Sequence, residues 1–265
     1  MTPSLNQGQF IEGAIQSVLA QHYENFEHII IDGGSTDNTI DILRKYPHLI
    51  WVSKPDKGQS DAINKGVMQA VGDWILWLNA DDIMLSDAFD KVIKTTTTFP
   101  KANYIYGHTL FLDNDTFKNS KCYHIPFYYN FVFFGIYSLP STGSFICASF
   151  FKKNLLNIYF HMVMDTEWIL RCGKLVRPKL VNDFLVTFRV SQNNKTSENI
   201  KNGLVTEQHR EERKAIKAMY VYSSNMKLRP SVFSVYLKFG YYVYKAIYLI
   251  LKLKSLIYFN LKIKY

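Results

Sequence analysis

Short apolar runs alternate with segments of helical periodicity along the first hundred or so residues of the chain. The spacing of Ile11, Ala14, Ile15, Val18 and Leu19 predicts an amphipathic first helix, because these positions share one face of an α-helix. Further helices are predicted at 39–45, 60–70 and 86–96, and strands at 27–31, 49–53, 73–78 and 104–106. This close alternation predicts an α/β fold, with a mostly parallel sheet covered by helices on both faces.

The second part of the chain has a less regular pattern. Residues 122–154 are rich in aromatic side chains and carry Pro126 and Pro140, so an irregular segment is predicted there. The elements predicted after it are a helix over 164–172, a strand over 181–190 and a helix over 202–219. We expect three parts in all, at residues 1–120, 121–200 and 201–265.

Composition places the chain among folded globular proteins. Its 265 residues are 48% hydrophobic and 20% charged, which suits one large domain with a sizeable core. The cysteines Cys122, Cys147 and Cys172 are too few for a disulfide scaffold and too far apart for a zinc site. The chain has no P-loop, no GxGxxG and no HExxH pattern, which argues against the commonest nucleotide-binding, dinucleotide-binding and zinc-protease classes.

The positive charge is concentrated near the C-terminal end. Formal net charge is +9, and residues 213–265 contain eleven basic side chains and no acidic one, which leaves about −2 for the first 212 residues. A nearly neutral body argues against a nucleic-acid partner, because such a partner is bound by basic side chains on the folded domain itself.

The C-terminal segment combines this charge with many aromatic residues. Lys238, Lys245 and Lys252 recur at every seventh position and would form one stripe on a helix, although Lys254 falls on another side. The longest apolar run, 246–251, is far shorter than the roughly 18 residues that span a bilayer. These features favour a helix on an anionic membrane surface.

The alternative for this segment is a helical hairpin packed on the body or on a second subunit, with its lysine side chains extended to solvent. No secretion signal is visible in the first residues. We therefore expect a cytoplasmic protein that is peripheral on the inner face of the cell membrane.

Acidic residues follow two of the predicted strands. Asp32 ends one strand, and Asp81 and Asp82 follow another. In open α/β sheets, ligands bind outside the carboxyl ends of the strands. Adjacent carboxylates without a nearby cysteine favour Mg²⁺ or Mn²⁺, which usually completes its shell with phosphate oxygens and water. The alternative is an ordinary helix cap, formed by Asp82 or Ser86.

Five segments in the first hundred residues resemble the nucleotide-binding half of family 2 glycosyltransferases, of the bacterial surface-polysaccharide type. They are 2–7 (TPSLNQ), 17–21 (SVLAQ), 31–37 (IDGGSTD), 54–66 (KPDKGQSDAINKG) and 77–82 (WLNADD). The likeness is thinner afterwards, at 104–107 (YIYG), 164–171 (MDTEWILR) and 188–190 (FRV). The resemblance implies a GT-A, Rossmann-like fold and an inverting transfer from a nucleotide-diphosphate sugar.

The resemblance also implies a role for each part of the chain. Residues 1–120 would bind the nucleotide sugar, 121–200 would bind the acceptor and catalyse transfer, and 201–265 would be the membrane-surface tail. Donor binding would involve Thr2 and Pro3 at the base, Asp32 at the base or ribose, Asp61 and Asn64 near the sugar and phosphates, and Asn79 and Asp82 in the metal motif. Asp81 would bind Mn²⁺ or Mg²⁺, and Asp165 would be the general base. The alternative for Asp165 is a solvated acid in the first turn of a helix.

Three departures from the family pattern bear on these roles. Only Met1 precedes Thr2, where the family has a short apolar strand, and we expect in-frame codons for such a strand directly upstream. Asn79 replaces the first acid of the DXD motif. A histidine that often follows the 188–190 strand is replaced by Ser191, and a basic residue that often stands beside Asn64 is replaced by Ile63.

The sequence thus predicts a metal-dependent glycosyltransferase with a saccharide acceptor, expected to be lipid-linked. The alternative is a catalytically degenerate protein that binds nucleotide or docks partners at the membrane. A sugar nucleotidyltransferase would need a glycine-rich basic loop near its N-terminus, and the chain has none.

Overall fold

A computed structural model describes most of the chain. The described residues are 1–114, 116–133, 138–190, 207–222, 242–243, 245–246, 248–250 and 252–253. The strands are β1 (Thr2–Ser4), β2 (His28–Asp32), β3 (Leu49–Ser53), β4 (Trp74–Trp77), β5 (Ile83–Met84), β6 (Tyr104–Asp113), β7 (Asn119–Cys122), β8 (Ser144–Cys147) and β9 (Pro178–Val190). The helices are α1 (Ile11–Leu19), α2 (Thr39–Leu43), α3 (Gln59–Gln69), α4 (Ala88–Thr98), α5 (Tyr129–Phe133), α6 (Ala148–Lys153), α7 (Met164–Cys172) and α8 (Glu207–Ile216), which continues as a π-helix over Lys217–Tyr222.

The strands form two sheets that meet at the start of the chain. In the first sheet, β1, β2 and β3 pair in parallel. The second has the order β4-β8-β6-β9-β5, with β7 also paired to β6, and in it only β6 and β9 run parallel. Backbone hydrogen bonds join Met1 to β4. The Met1 amino group donates to the Leu76 carbonyl, and the Leu78 N–H donates to the Met1 carbonyl. The chain start therefore connects the two sheets.

Helices cover both faces of this arrangement, as the amphipathic spacing predicts. Buried side chains of α1 and α4 pack on one face of the second sheet, whereas α3, α6 and α7 pack on the other. The predicted α/β class is confirmed. The first sheet is parallel as expected, and the second is mixed because β8 enters antiparallel between β4 and β6.

The prediction of an irregular segment over 122–154 was wrong in part. Residues Ser144–Cys147 form β8, which lies between β4 and β6 in the second sheet, and α6 follows directly. Three of the four β8 side chains are buried. The sequence therefore lacks the alternation of apolar and polar residues that identifies a half-buried strand.

Several predictions concern residues outside the described ranges. These include the start of the helix predicted at 202–219, the Ser191 position and most of the 201–265 tail. The described residues between 242 and 253 are helical. None of the described helices is at once long and apolar enough to cross a bilayer.

Candidate functional site

A cavity of about 410 Å³ opens at the carboxyl ends of β1 and β4. Its wall comes from six places in the chain: the end of β1, the turn into α3, the loop after β4, the segment before β8, the turn into α7 and β9. The acidic side chains lining it are Asp56, Asp81 and Asp165. Parallel strands and helix N-termini thus converge where α/β folds bind ligands.

Asp81 and Asp165 lie on the same cavity although 84 positions separate them. Asp81 belongs to the loop after β4, and Asp165 to the first turn of α7. Both are partly exposed to the cavity. The predicted metal ligand and the predicted base therefore line the same cavity.

Asn79 and Asp82 form a hydrogen-bonded bracket behind Asp81. The Asn79 Nδ2 donates to the Asp82 carboxylate at 3.0 Å, and its Oδ1 accepts from Gln59 Nε2 at 3.0 Å and from Trp77 Nε1 at 3.1 Å. Asp82 also accepts from the Thr142 hydroxyl at 2.6 Å. The Asn79 amide thus acts as a donor through its nitrogen and as an acceptor through its oxygen. An ionised aspartate at this position could not donate to Asp82.

Asp82 is fully buried, so its carboxylate has little access to the cavity. Burial and the neighbouring Asp81 charge raise the pKa of Asp82 to about 7. The Arg189 N–H donates to its second oxygen at 3.0 Å. These contacts hold the loop after β4 together, and a role of Asp82 in donor binding stays a prediction.

Asp81 has the more available carboxylate of the two. Within the described part of the chain, no other residue is found donating a hydrogen bond to it. Burial raises its pKa, and the positive charge of Arg189 partly opposes this. The Arg189 Nε donates to the Asp81 carbonyl at 3.0 Å and so holds the loop from behind.

A complete metal cage is absent from the described ranges, where no three His, Cys, Asp or Glu side chains converge. Among the carboxylates that line the cavity, Asp81 lies beside Asn79 in the loop after β4, whereas Asp56 and Asp165 come from other segments. This donor set suits a divalent cation that takes its remaining ligands from diphosphate and water.

Asp165 is held at the start of α7 by local contacts. Its carboxylate accepts from the Thr166 N–H at 2.6 Å and from the Thr166 hydroxyl at 3.3 Å. Burial raises the pKa of Asp165, while these hydrogen bonds and the charge of His209 lower it in part. A carboxylate with raised pKa is a stronger base than an exposed aspartate.

The predicted donor-binding residues fall into two groups. Pro3 and Asn79 line the cavity, whereas the buried Thr2 and Asp32 do not, and Thr2 instead borders the cavity at the amino ends of β2 and β4. The Thr2 hydroxyl is 3.0 Å from His28 Nε2. The Asp32 carboxylate accepts from two backbone N–H groups of its own turn and from two hydroxyls, at 2.5–3.1 Å. Thr2 and Asp32 thus stabilise β1, β2 and the turn after β2 by buried hydrogen bonds.

Asp61 and Asn64 stabilise α3 and its neighbours and do not line the cavity. Asp61 pairs with Lys65 at 2.8 Å and accepts from the Lys57 N–H at 3.0 Å. Asn64 exchanges two hydrogen bonds with the Leu156 backbone, at 2.8 and 2.9 Å. Asn64 thereby holds the segment between α6 and α7 against α3.

Sequence reasoning missed His161, which lines the cavity. It packs on Gly58, whose φ of +102° and lack of a side chain permit the approach, since an added Cβ would lie 2.9 Å from the imidazole Nδ1. An isolated histidine gives no sequence signal of this placement. Gln59, also missed, lies within the 54–66 segment, which could have indicated it.

A second cavity, of about 620 Å³, lies at the opposite, amino ends of β2 and β4. Its aromatic side chains include Tyr23, Phe26 and Phe89. Neither Asp81 nor Asp165 reaches it, so the larger volume does not mark the candidate site.

Comparison with known proteins agrees with the geometry. The family model described as Glycosyl transferase family 2 matches residues 1–170. A PGL/p-HBAD biosynthesis glycosyltransferase of Mycobacterium bovis is 28% identical over 186 residues, which cover 61% of this chain and 73% of the relative. An uncharacterized glycosyltransferase of Mycobacterium tuberculosis is 28% identical over 194 residues, covering 71% of this chain and 73% of the relative.

Two solved structures share the fold at low sequence identity. Staphylococcus aureus TarS 1–349, in complex with UDP-GlcNAc, superposes with a TM-score of 0.64 at 14% identity, over 88% of this chain and 68% of that chain. The mannosyltransferase PcManGT from Pyrobaculum calidifontis, in complex with GDP-Man and Mn²⁺, gives 0.62 at 15% identity, over 91% and 68%. These likenesses confirm the predicted GT-A fold.

Proposed function

Because the chain belongs to glycosyltransferase family 2, we propose that it transfers a sugar, with inversion, from a nucleotide-diphosphate donor to a saccharide acceptor. The observation that carries this proposal is the shared cavity of Asp81 and Asp165. One carboxylate can hold the cation of a donor diphosphate while the other accepts a proton from the acceptor.

In the proposed reaction, Asp165 removes the proton from an acceptor hydroxyl. The hydroxyl oxygen forms a bond to the anomeric carbon as the bond from that carbon to the diphosphate oxygen breaks. The electron pair of the breaking bond passes to the diphosphate, and the proton remains on Asp165. Attack from the face opposite the leaving group inverts the anomeric centre.

Asp81, supported by the Asn79 and Asp82 bracket, would hold Mn²⁺ or Mg²⁺. The ion would neutralise charge on the departing diphosphate. We propose that Asp81 is the carboxylate that binds it, and that a metal binds well only together with the donor. Support for this order comes from the lack of a three-ligand cage among the described residues.

The donor class rests on the fold neighbours and on the cavity. One neighbour is in complex with UDP-GlcNAc and another with GDP-Man and Mn²⁺. We infer a nucleotide-diphosphate sugar for this chain, bound between the β1 end and the loop after β4.

A lipid-linked saccharide is the proposed acceptor. Its support is the name of the mycobacterial relatives, PGL/p-HBAD biosynthesis glycosyltransferase, together with the basic and aromatic C-terminal segment. We accordingly propose peripheral attachment at the inner face of the cell membrane, where an anionic surface would bind this segment.

The test is release of nucleoside diphosphate from UDP-glucose, UDP-GlcNAc, GDP-mannose and a dTDP-sugar, each with Mn²⁺. We expect wild type to use one donor and Asp165→Asn to be slower by about 10²–10⁴-fold. Asp165→Asn should keep the thermal stabilisation by the matching nucleotide with Mn²⁺. Asp183→Asn, a matched change at an exposed carboxylate that pairs with Lys91 at 3.0 Å, should behave as wild type.

The pH dependence of activity provides a second test of Asp165 as the base. Since burial raises the pKa of Asp165, activity should be lost, as pH falls, at a higher pH than an ordinary aspartate would give. Full turnover by Asp165→Asn would contradict the base assignment. Nucleotide binding without turnover of any donor would instead support the degenerate scaffold.

A further inference from the structure

Helix α8 presents one continuous stripe of side chains to the rest of the molecule. His209, Glu212, Ile216 and Tyr220 are separated by three or four positions, which places them on one helical face. Glu212 and Ile216 are buried, although neighbours such as Glu211 are exposed. The stripe faces the turn that leads into α7.

Glu212 makes an unusual contact with that turn. Its carboxylate accepts hydrogen bonds from three consecutive backbone N–H groups, those of His161 at 3.0 Å, Met162 at 2.7 Å and Val163 at 3.1 Å. Gln208 also donates to it at 3.1 Å. Charge-assisted bonds of this kind are about twice as strong as neutral ones, and a carboxylate is favourable at a helix N-terminus.

The turn held by Glu212 belongs to the wall of the candidate site. His161 and Met162 line the cavity, and Asp165 follows two positions after Val163. Fixing the three N–H groups therefore fixes the direction in which α7 begins and where Asp165 points.

Two further contacts secure α8 to α7. Ile216 packs in the same buried cluster as Trp168. The Tyr220 hydroxyl donates to Glu167 at 2.7 Å, and Arg171 donates to the same carboxylate at 2.8 Å. The helix is thus attached along its length and does not rest on Glu212 alone.

We propose that Glu212 is a positioning residue for Asp165, so that a helix outside the matched family region completes the active site. This inference rests on the proposed function for the role of Asp165. The family model matches residues 1–170, whereas α8 begins at Glu207. The charge of His209, which acts on Asp165, is consistent with the close approach of α8.

The experiment compares Glu212→Gln and Glu212→Ala with Glu211→Gln, a matched change at the exposed neighbour that pairs with Lys214. We expect kcat for nucleoside diphosphate release to fall at least about tenfold in Glu212→Ala and by less in Glu212→Gln, because loosening of a catalytic group by an ångström has effects of this size. Donor KM and the nucleotide-dependent thermal shift should stay within about twofold of wild type. Glu211→Gln should match wild type.

Hydrogen exchange of the peptide covering 160–166 gives a readout independent of activity, and it should be faster in Glu212→Gln and in Glu212→Ala but unchanged in Glu211→Gln. Unchanged kcat despite faster exchange would overturn the proposal, as would equal loss of kcat, donor affinity and melting temperature. If Glu212→Ala does not fold, Glu212→Gln decides by the same criteria. Wild type that turns over no donor defeats the proposed function, and unchanged exchange in Glu212→Gln defeats the Glu212 contact separately.

Discussion

Three hydrogen-bond donors allow a carboxylate to be buried in the loop after β4, and the Asn79 amide is one of them. Asp82 is fully buried beside Asp81, an arrangement that raises its pKa to about 7. Asn79 donates to it and keeps its own oxygen for Gln59 and Trp77. Asn79 departs from the family motif, and in the structure it is one of the three donors to the buried Asp82 carboxylate.

Asn79→Asp tests this pairing. The change keeps the acceptor oxygens but removes the donor to Asp82 and adds a third carboxylate. We expect the free energy of unfolding at pH 7.5, in EDTA, to fall by about 1–3 kcal/mol. The loss should be smaller at pH 5, because a buried acid with a pKa of about 7 holds its proton there. Urea denaturation measures both.

The matched control is Asn114→Asp. The Asn114 Oδ1 accepts from Arg189 Nη1 at 3.0 Å, so a carboxylate there keeps the contact and gains an opposite charge. This variant should be as stable as wild type. Equal stability of Asn79→Asp would show that the Asn79 amide is dispensable.

At the scale of elements, the pairing of β6 with β9 joins the two halves of the domain. The two long strands run parallel from Tyr104 to Asp113, with a shift of register around Gly107. A Cβ at Gly107 would lie 2.4 Å from Leu185 Cγ and 2.8 Å from the Asp183 carbonyl oxygen. The shift is thus possible because residue 107 has no side chain.

Gly107→Ala should therefore destabilise the protein by about 1–3 kcal/mol through overpacking. The cost of Gly107→Ala should be smaller in a Leu185→Ala background, although not zero, since the Asp183 carbonyl contact remains. Gly13→Ala, in α1 with nothing within 4 Å of the added Cβ, should be neutral or slightly stabilising. A double-mutant cycle in urea, showing no coupling between 107 and 185, would contradict the packing argument.

At the scale of the whole molecule, the C-terminal segment has both exposed apolar side chains and a contact with the rest of the protein. The exposed apolar side chains described there are Tyr242, Leu249, Ile250 and Leu253. Tyr248 contacts Tyr123 of the body with ring centroids 6.3 Å apart. The segment thus combines exposed apolar side chains with a contact to the body, and its preference for a membrane surface remains a prediction.

Replacement of Lys238, Lys245 and Lys252 by Gln in the full chain tests that prediction. Binding to vesicles of anionic phospholipid should weaken by about 1 kcal/mol per lysine removed, and more salt should reduce the remainder. Deletion of 230–265 should abolish sedimentation with these vesicles and leave nucleotide-dependent stabilisation unchanged. Undiminished vesicle binding with a lower melting temperature would favour the packed helical hairpin instead.

Sequence alone was sufficient where the signal is local. The helical spacing of α1 and the strand–helix alternation predicted the α/β class, and the ordered segments ending at 77–82 predicted the family and the GT-A fold, which the comparisons confirm. Periodicity and short motifs depend on neighbouring residues, so no tertiary information was required for them.

Tertiary structure decided which predicted residues reach the cavity and what holds them. Asp81 and Asp82 are adjacent and chemically identical, but one faces the cavity and the other is buried under Asn79 and Thr142. Glu212 and the turn before Asp165 are about fifty positions apart, and only folding brings them together. Contacts between distant segments depend on how whole elements pack, which periodicity along the chain does not encode.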